Sequence, residues 1–304
     1  MWGAPGSGKT TFLYALSIAL DGGEYGYTMS ADNDASEKLM IEANAALVQD
    51  HEFPGATQSI DYLQWSLHGR RQRTVPNGRG FRLEDRGHSI TLKLIDPSGE
   101  LTLPARFGSE DHNRLVSALV EASGILLMID PIREFEKGDA YATTSGLLAQ
   151  ITRQIASTTP DFDGKLPHHV AICITKFDEP RVLATAESLK VLRYDQGDPF
   201  GFPRVADADA QQLLGSLFSV SQGGYGDRML NTLTQHFHAD RVRFFVTSAV
   251  WFYVNPETGR FDKDDPQNVV KTRGALADST ESRVRGPLHP INIVEPVLWL
   301  GAQE

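Results

Sequence analysis

The sequence predicts a doubly wound α/β domain, a mostly parallel sheet with helices against both of its faces. Three apolar runs carry that expectation: Ile125 to Ile129, Val170 to Ile174 and Val242 to Val246. Strands so apolar are buried on both sides, as parallel strands under helices are, rather than alternating between core and water. Segments with helical apolar spacing separate the runs, and a glycine-rich stretch at the start of the chain opens into another such segment. With 304 residues, 40% apolar and 22% charged, the chain can bury a sizeable core.

Lys9 to Leu20 reads as the first helix, and Asp34-Ala35-Ser36-Glu37 reads as a capping box that opens a second one, to about Val48. Ser59 to Leu67 and Ser89 to Ile95 read as strands. Between them lie Arg70, Arg71, Arg73, Arg79, Arg82 and Arg86, with a turn at Asn77-Gly78, which predicts a long exposed hairpin connection. Asn113 to Ala122 and Tyr141 to Ser157 read as helices flanking the first apolar run, and a short helix is expected near Ile293 to Leu300. One domain over residues 1 to 304 is expected, with 197 to 226 and 255 to 290 as insertions or mobile loops.

No run of eighteen apolar residues is present, so a transmembrane protein is not expected, and the first residues do not read as a secretory leader. A single cysteine, Cys173, excludes a disulfide framework and a cysteine-based zinc site, and suggests a reducing cytoplasm. The net charge of -10 argues against broad binding to nucleic acid or anionic lipid, and no specific nucleic-acid partner is expected.

Gly3-Ala4-Pro5-Gly6-Ser7-Gly8-Lys9-Thr10 has the spacing G-x-x-x-x-G-K-[ST], followed by Thr11 and a helix start. Glycines at these positions let successive backbone N–H groups face one anion, and the helix N-terminus adds its positive end. Lys9 is expected to reach the β- and γ-phosphates, and the Thr10 hydroxyl to ligate Mg²⁺. Such a loop follows a buried strand, yet only Met1 and Trp2 precede Gly3, so the first strand of the sheet is expected to be missing from this chain.

Three further strand ends carry chemistry. Asp96-Pro97-Ser98-Gly99 has the form D-x-x-G, in which Asp96 can hold Mg²⁺ through water and the Gly99 N–H can meet a γ-phosphate. Thr175-Lys176-Phe177-Asp178 has the form [NT]-K-x-D, where the carboxylate accepts from guanine N1 and N2 while the lysine stem covers the base. Adenine offers no such donor pair. Thr247-Ser248-Ala249 ends the last strand, with the Ala249 N–H placed to donate to guanine O6.

These four motifs, in this order, resemble the translation-factor-like (TRAFAC) class of P-loop GTPases, over residues 3 to 249. The resemblance implies a Mg²⁺-dependent GTPase that binds GTP and GDP and acts as a nucleotide-controlled switch. It also implies a threonine that closes over the γ-phosphate and ligates Mg²⁺; Thr57, in Phe53-Pro54-Gly55-Ala56-Thr57, fits best, since Thr74 lies beyond the following strand. The glycine loop, the Thr57 segment, Asp96-Pro97-Ser98-Gly99-Glu100 and the closing Asn292 to Trp299 further resemble the bacterial double-GTPase family. That likeness implies a protein partner, whether a second GTPase, a GTPase-associated protein or an activator.

In the expected mechanism Lys9 and Mg²⁺ offset developing charge, while Thr57 and Gly99 close on the γ-phosphate. Glu100 stands where many GTPases carry a water-orienting glutamine, and its charge beside the γ-phosphate implies slow hydrolysis without a partner. Arg70, Arg71 and Arg73 could supply an arginine finger, although a solvated basic loop is the simpler reading. Two alternatives stay open: a P-loop ATPase with Asp130 as the metal-holding acid after Ile125 to Ile129, and a GTP-sensing module with negligible turnover. His168, His169, His236 and His238 read as structural, Asp32-Asn33-Asp34 as helix capping rather than a calcium loop, and Trp251-Phe252-Tyr253 as a packed strand.

Overall fold

A computed structural model describes residues 1–53, 63–77, 80–95, 100–220, 226–273 and 280–303. Within them the chain begins with β1 (Trp2–Gly3) and α1 (Lys9–Asp21), then β2 (Tyr27–Ala31), α2 (Asp34–Asn44), β3 (Leu63–Asn77) and β4 (Gly80–Leu94). Next come α3 (Glu110–Glu121), β5 (Gly124–Ile129), α4 (Pro131–Lys137), α5 (Ala140–Thr158), β6 (His169–Ile174) and α6 (Pro180–Ser188). The small strands β7 (Leu192–Tyr194) and β8 (Pro203–Val205) lead to α7 (Asp207–Ser219), α8 (Gly226–His236) and β9 (Val242–Val246). Two hairpins, β10 (Val254–Asn255) with β11 (Arg260–Phe261) and β12 (Val269–Arg273) with β13 (Thr280–Val284), precede α9 (Val294–Gly301).

The architecture is α/β, built on a four-stranded parallel sheet in the order β1-β5-β6-β9. Alternation along its strands sends Ile125, Leu127 and Ile129 to one face and Leu126 and Met128 to the other; β6 divides likewise between Val170, Ile172, Ile174 and Ala171, Cys173. The first face packs on α3, α5, α7 and α8 through Leu115, Leu148, Leu214 and Leu233; the second on α1 and α9 through Phe12, Leu16 and Val297. Each such fully buried side chain is worth about 1.5–3 kcal/mol of apolar transfer. The first strand, expected to be missing, is present as the two residues Trp2–Gly3, which pair in parallel with Leu127 and Met128, and the Met1 amine donates to Lys93 O at 2.8 Å.

A second, antiparallel sheet has the order β2-β3-β4. The arginine-rich stretch between the two expected strands is itself strand: β3 and β4 pair continuously from Leu63↔Leu94 to Asn77↔Gly80. The part of the first strand before Leu63 lies outside the described residues. The inner face carries Trp65, Leu67, Ile90 and Leu92, which join the α1 and α9 side of the core.

Other expectations need amendment. The residue that caps α2 is Asn33, whose Oδ1 accepts from Ser36 N at 2.9 Å; Asp34 is already helical, and the helix gives way to a wider π turn over Ala45–Gln49. Residues 197 to 226 are not merely a loop, because α7 buries Ala210, Leu213, Leu214, Leu217 and Phe218 in the main core. Within 255 to 290 lie β11 and the β12–β13 hairpin. Trp251 takes a left-handed φ of 63°, which a strand does not permit; Trp251 and Phe252 pack as a buried loop against Phe202, at ring separations of 4.3 and 6.2 Å. Among the described residues no helix is long and apolar enough to cross a membrane.

Candidate functional site

The glycine loop joins β1 to α1 at the C-terminal edge of the parallel sheet. Gly3 is required for space: a Cβ there would stand 2.6 Å from Ser7 Oγ and 2.8 Å from Met128 O. Gly6 and Gly8 are required for conformation, with φ of 75° and 87°. Gly8 is the N-cap of α1 and supplies no side-chain cap, so the first turn of the helix turns its N–H groups toward the loop, as an anion site does. Lys9 lies beneath the loop at 3% exposure, its Nζ donating to Gly3 O at 2.7 Å and Ala4 O at 3.1 Å. Ser7 Oγ is buried without a hydrogen-bond partner. Thr10 and Thr11 follow in the first turn.

The second half of the site is built where β6 and β9 end. Thr175 is locked to β5 by its backbone N and its Oγ1, both donating to Ile129 O at 2.9 and 3.1 Å. Lys176 then turns through a left-handed φ of 58°, and Phe177 N bonds Thr247 O at 3.1 Å, tying the two strand ends together. Asp178 is 6% exposed and accepts from Ser248 Oγ at 2.5 Å; Ser248 Oγ in turn accepts from Trp251 N at 2.8 Å. Burial pushes the Asp178 carboxyl up to about 6, with the Ser248 hydrogen bond opposing that shift. Ser248 is itself held by paired backbone bonds with Ile291, of 3.2 and 2.9 Å.

One cavity of about 340 Å³ joins the halves. Gly6, Gly8 and Thr11 line one end, and Thr175, Lys176, Asp178 and Ala249 the other. That volume lies in the range of small-ligand sites. Sequence reasoning did not place several of its other walls in a site, among them Phe53, Val250, Ile293, and Val269 and Ser282 of the β12–β13 hairpin. The hairpin residues carry no motif and reach the site only through the fold. Phe53 opens the segment of Thr57 and was read only as part of it.

Gly3, Ser7, Lys9, Thr10 and Ser248 support the cavity rather than line it. Glu100 opens a short 3-10 turn, is exposed, and pairs with Arg106 at 3.3 Å; it is not in the cavity wall. Thr57, Asp96 and Gly99 lie outside the described residues. Of the expected Mg²⁺ ligands, therefore, only Thr10 is described, and no cluster of three acidic, His or Cys side chains suited to a metal occurs among the described residues.

Asp130 is committed elsewhere. It caps α4 through Oδ1, which accepts from Ile132 N and Arg133 N at 2.9 and 3.2 Å, and its Oδ2 accepts from Lys176 Nζ at 2.7 Å. His168 is buried against Val120 O, and burial holds its pKa down; His236 bonds Thr152 Oγ1 at 3.1 Å. Asp32 accepts from Gln64 Nε2 and Ser66 Oγ, a structural use consistent with capping rather than calcium. Compared with protein-family models, curated proteins and solved structures, the chain gives no match.

Proposed function

We propose that this chain is a P-loop GTPase of the translation-factor-like class, which binds GTP and GDP and hydrolyses GTP as a switch. The observation that carries the proposal is the single cavity running from Gly6, Gly8 and Thr11 to Thr175, Lys176, Asp178 and Ala249. A phosphate loop alone suits many nucleotides; a buried carboxylate 2.5 Å from Ser248 at the far end of the same cavity suits guanine, with its adjacent N1 and N2 donors.

In this reading the phosphates lie on the N–H groups after Gly6, and Lys9 exchanges its loop carbonyls for the β- and γ-phosphate oxygens. Mg²⁺, when bound with the triphosphate at Thr10, neutralises charge on those oxygens. Water attacks the γ-phosphorus, the bond to the β–γ bridging oxygen breaks, and GDP and inorganic phosphate leave, the water's proton passing to phosphate or solvent. Thr57, Asp96 and Gly99 keep their assigned roles as motif residues. The exposed Glu100, paired with Arg106, favours slow turnover until a partner such as a second GTPase or an activator reorders that turn. The engagement of both Asp130 oxygens weighs against the ATPase alternative, which needs that carboxylate for metal.

The test is Mg²⁺-dependent binding of fluorescent GTP, GDP, ATP and xanthine nucleotides to wild type and Asp178→Asn. Guanine preference that turns to xanthine in the variant supports the proposal. ATP binding equal to or better than GTP and unaffected by the variant sinks it.

A further inference from the structure

Asp130 joins two parts of the cavity that are far apart in sequence. On one side its Oδ2 takes the Lys176 ammonium; on the other its Oδ1 starts α4, which places Arg133 against the glycine loop. Arg133 grips Asp139 through Nε and NH2 at 2.9 and 2.5 Å and donates from NH1 to Pro5 O at 3.1 Å. The short helix between these contacts is bracketed by Pro131 at its first turn and Gly138 at φ 61° after its end. Glu134 braces it by accepting from Ala140 N at 3.0 Å.

We infer that Asp130 is a positioning residue that sets the two halves of the nucleotide cavity in register, holding Lys176 for the base and, through α4 and Arg133, the loop for the phosphates. The inference rests on the guanine-nucleotide reading above. A lysine ammonium sits on a flexible stem and loses rotamer freedom when fixed over a ring; a pre-formed ion pair removes part of that loss before the ligand arrives. Asp130 is 5% exposed and the Lys176 side chain about a third exposed, so the pair is buried on its acidic side and meets solvent at Lys176.

Asp130→Asn keeps an acceptor for the α4 cap but loses the charge that holds Lys176. Two readouts separate the possibilities: peptide-resolved acylation of Lys176 in the ligand-free chain, and affinity for GDP and GTP. The expected result is several-fold faster Lys176 labelling and roughly tenfold weaker binding of GDP and GTP alike, as for loss of a part-buried charge pair. Arg133→Ala is expected to weaken both nucleotides while leaving Lys176 labelling unchanged. Wild-type labelling and affinity in Asp130→Asn overturn the inference, as does a loss confined to Mg²⁺-dependent GTP binding, which marks a metal ligand instead. Failure of wild type to bind any guanine nucleotide overturns the function reading and the role given to the pair with it, even where labelling responds.

Discussion

Ser248 and Asp178, seventy residues apart in sequence, meet in a 2.5 Å hydrogen bond beside the cavity that Asp178 lines. The serine hydroxyl donates to a carboxylate that burial has made reluctant to ionise, and it is aimed by the Trp251 N–H behind it. On the proposed reading, that arrangement sets what Asp178 selects and at which pH.

Asp178→Asn is expected to lose guanine nucleotides by roughly 100-fold or more and to gain xanthine nucleotides, because guanine's N1–H and N2–H donors lose their paired acceptor. Competition titrations at pH 7.5 with GDP and xanthosine diphosphate measure it. Unchanged GDP affinity would remove Asp178 from base recognition.

On the proposed reading, guanine recognition needs the ionised Asp178 carboxylate, whose pKa in the free chain is raised to about 6. Affinity for GDP should therefore fall by about tenfold for each pH unit below that value and level off above pH 7. The phosphates also titrate in this range, so the decisive comparison is with Asp178→Asn, in which the carboxylate's share of the slope must vanish.

The same shift has the opposite sign for stability. Between the ordinary aspartate value and about 6, the folded chain holds a proton that the unfolded chain has released, so the stabilisation present at low pH is lost as pH rises through 6. Asp178→Asn should then raise the melting temperature of the ligand-free chain at pH 8 and change it little at pH 4, with at most about 3 kcal/mol involved. Equal effects at both pH values would contradict the assignment.

Gly3→Ala places a methyl against Met128 O, a backbone atom that cannot step aside. A cost of about 1–3 kcal/mol is expected, read by chemical denaturation, together with weaker phosphate binding as the loop shifts. A variant of wild-type stability would show that the loop has room the geometry denies.

Ser7→Ala removes a buried hydroxyl that has no partner in the ligand-free chain. Stability without nucleotide should rise by about 1 kcal/mol, and affinity for GDP should fall if the hydroxyl is kept to meet a phosphate oxygen. Denaturation and titration of the same preparation measure both, and a loss of stability would refute the first half.

The parallel strands were legible because burial on both faces leaves Ile125 to Ile129 and Val170 to Ile174 no polar positions, and α1 because its glycine loop and apolar spacing coincide. The arginine stretch misled, because charge marks exposure and not the absence of strand: cross-strand pairing carries β3 and β4 on through Arg70, Arg71 and Arg73 to Asn77↔Gly80. Helix α7 was hidden behind the glycines, prolines and aspartates at its start, although Leu213, Leu214, Leu217 and Phe218 have core spacing. In the site, Thr175, Lys176, Asp178 and Ala249 were readable as motif positions. Val269 and Ser282 were not, because only tertiary packing brings that hairpin to the cavity. Asp130 was seen only in the ATPase alternative, as its metal-holding acid: a carboxylate ending a buried strand reads the same whether it faces a cation from solution or a lysine from the next strand.

Phe12, Met128 and Ile293 are at once the floor of the cavity and members of the hydrophobic cluster that ties α1, β3 and α9 to the sheet. On the proposed reading a nucleotide seated there rests against the core on one side, so release of the ligand and melting of the domain are expected to share a boundary. Heat alone then becomes an instrument: at a hundred times its dissociation constant a nucleotide adds about 2.7 kcal/mol to unfolding. Ranking guanine, adenine and xanthine nucleotides by the melting temperature they produce needs neither a fluorescent label nor turnover.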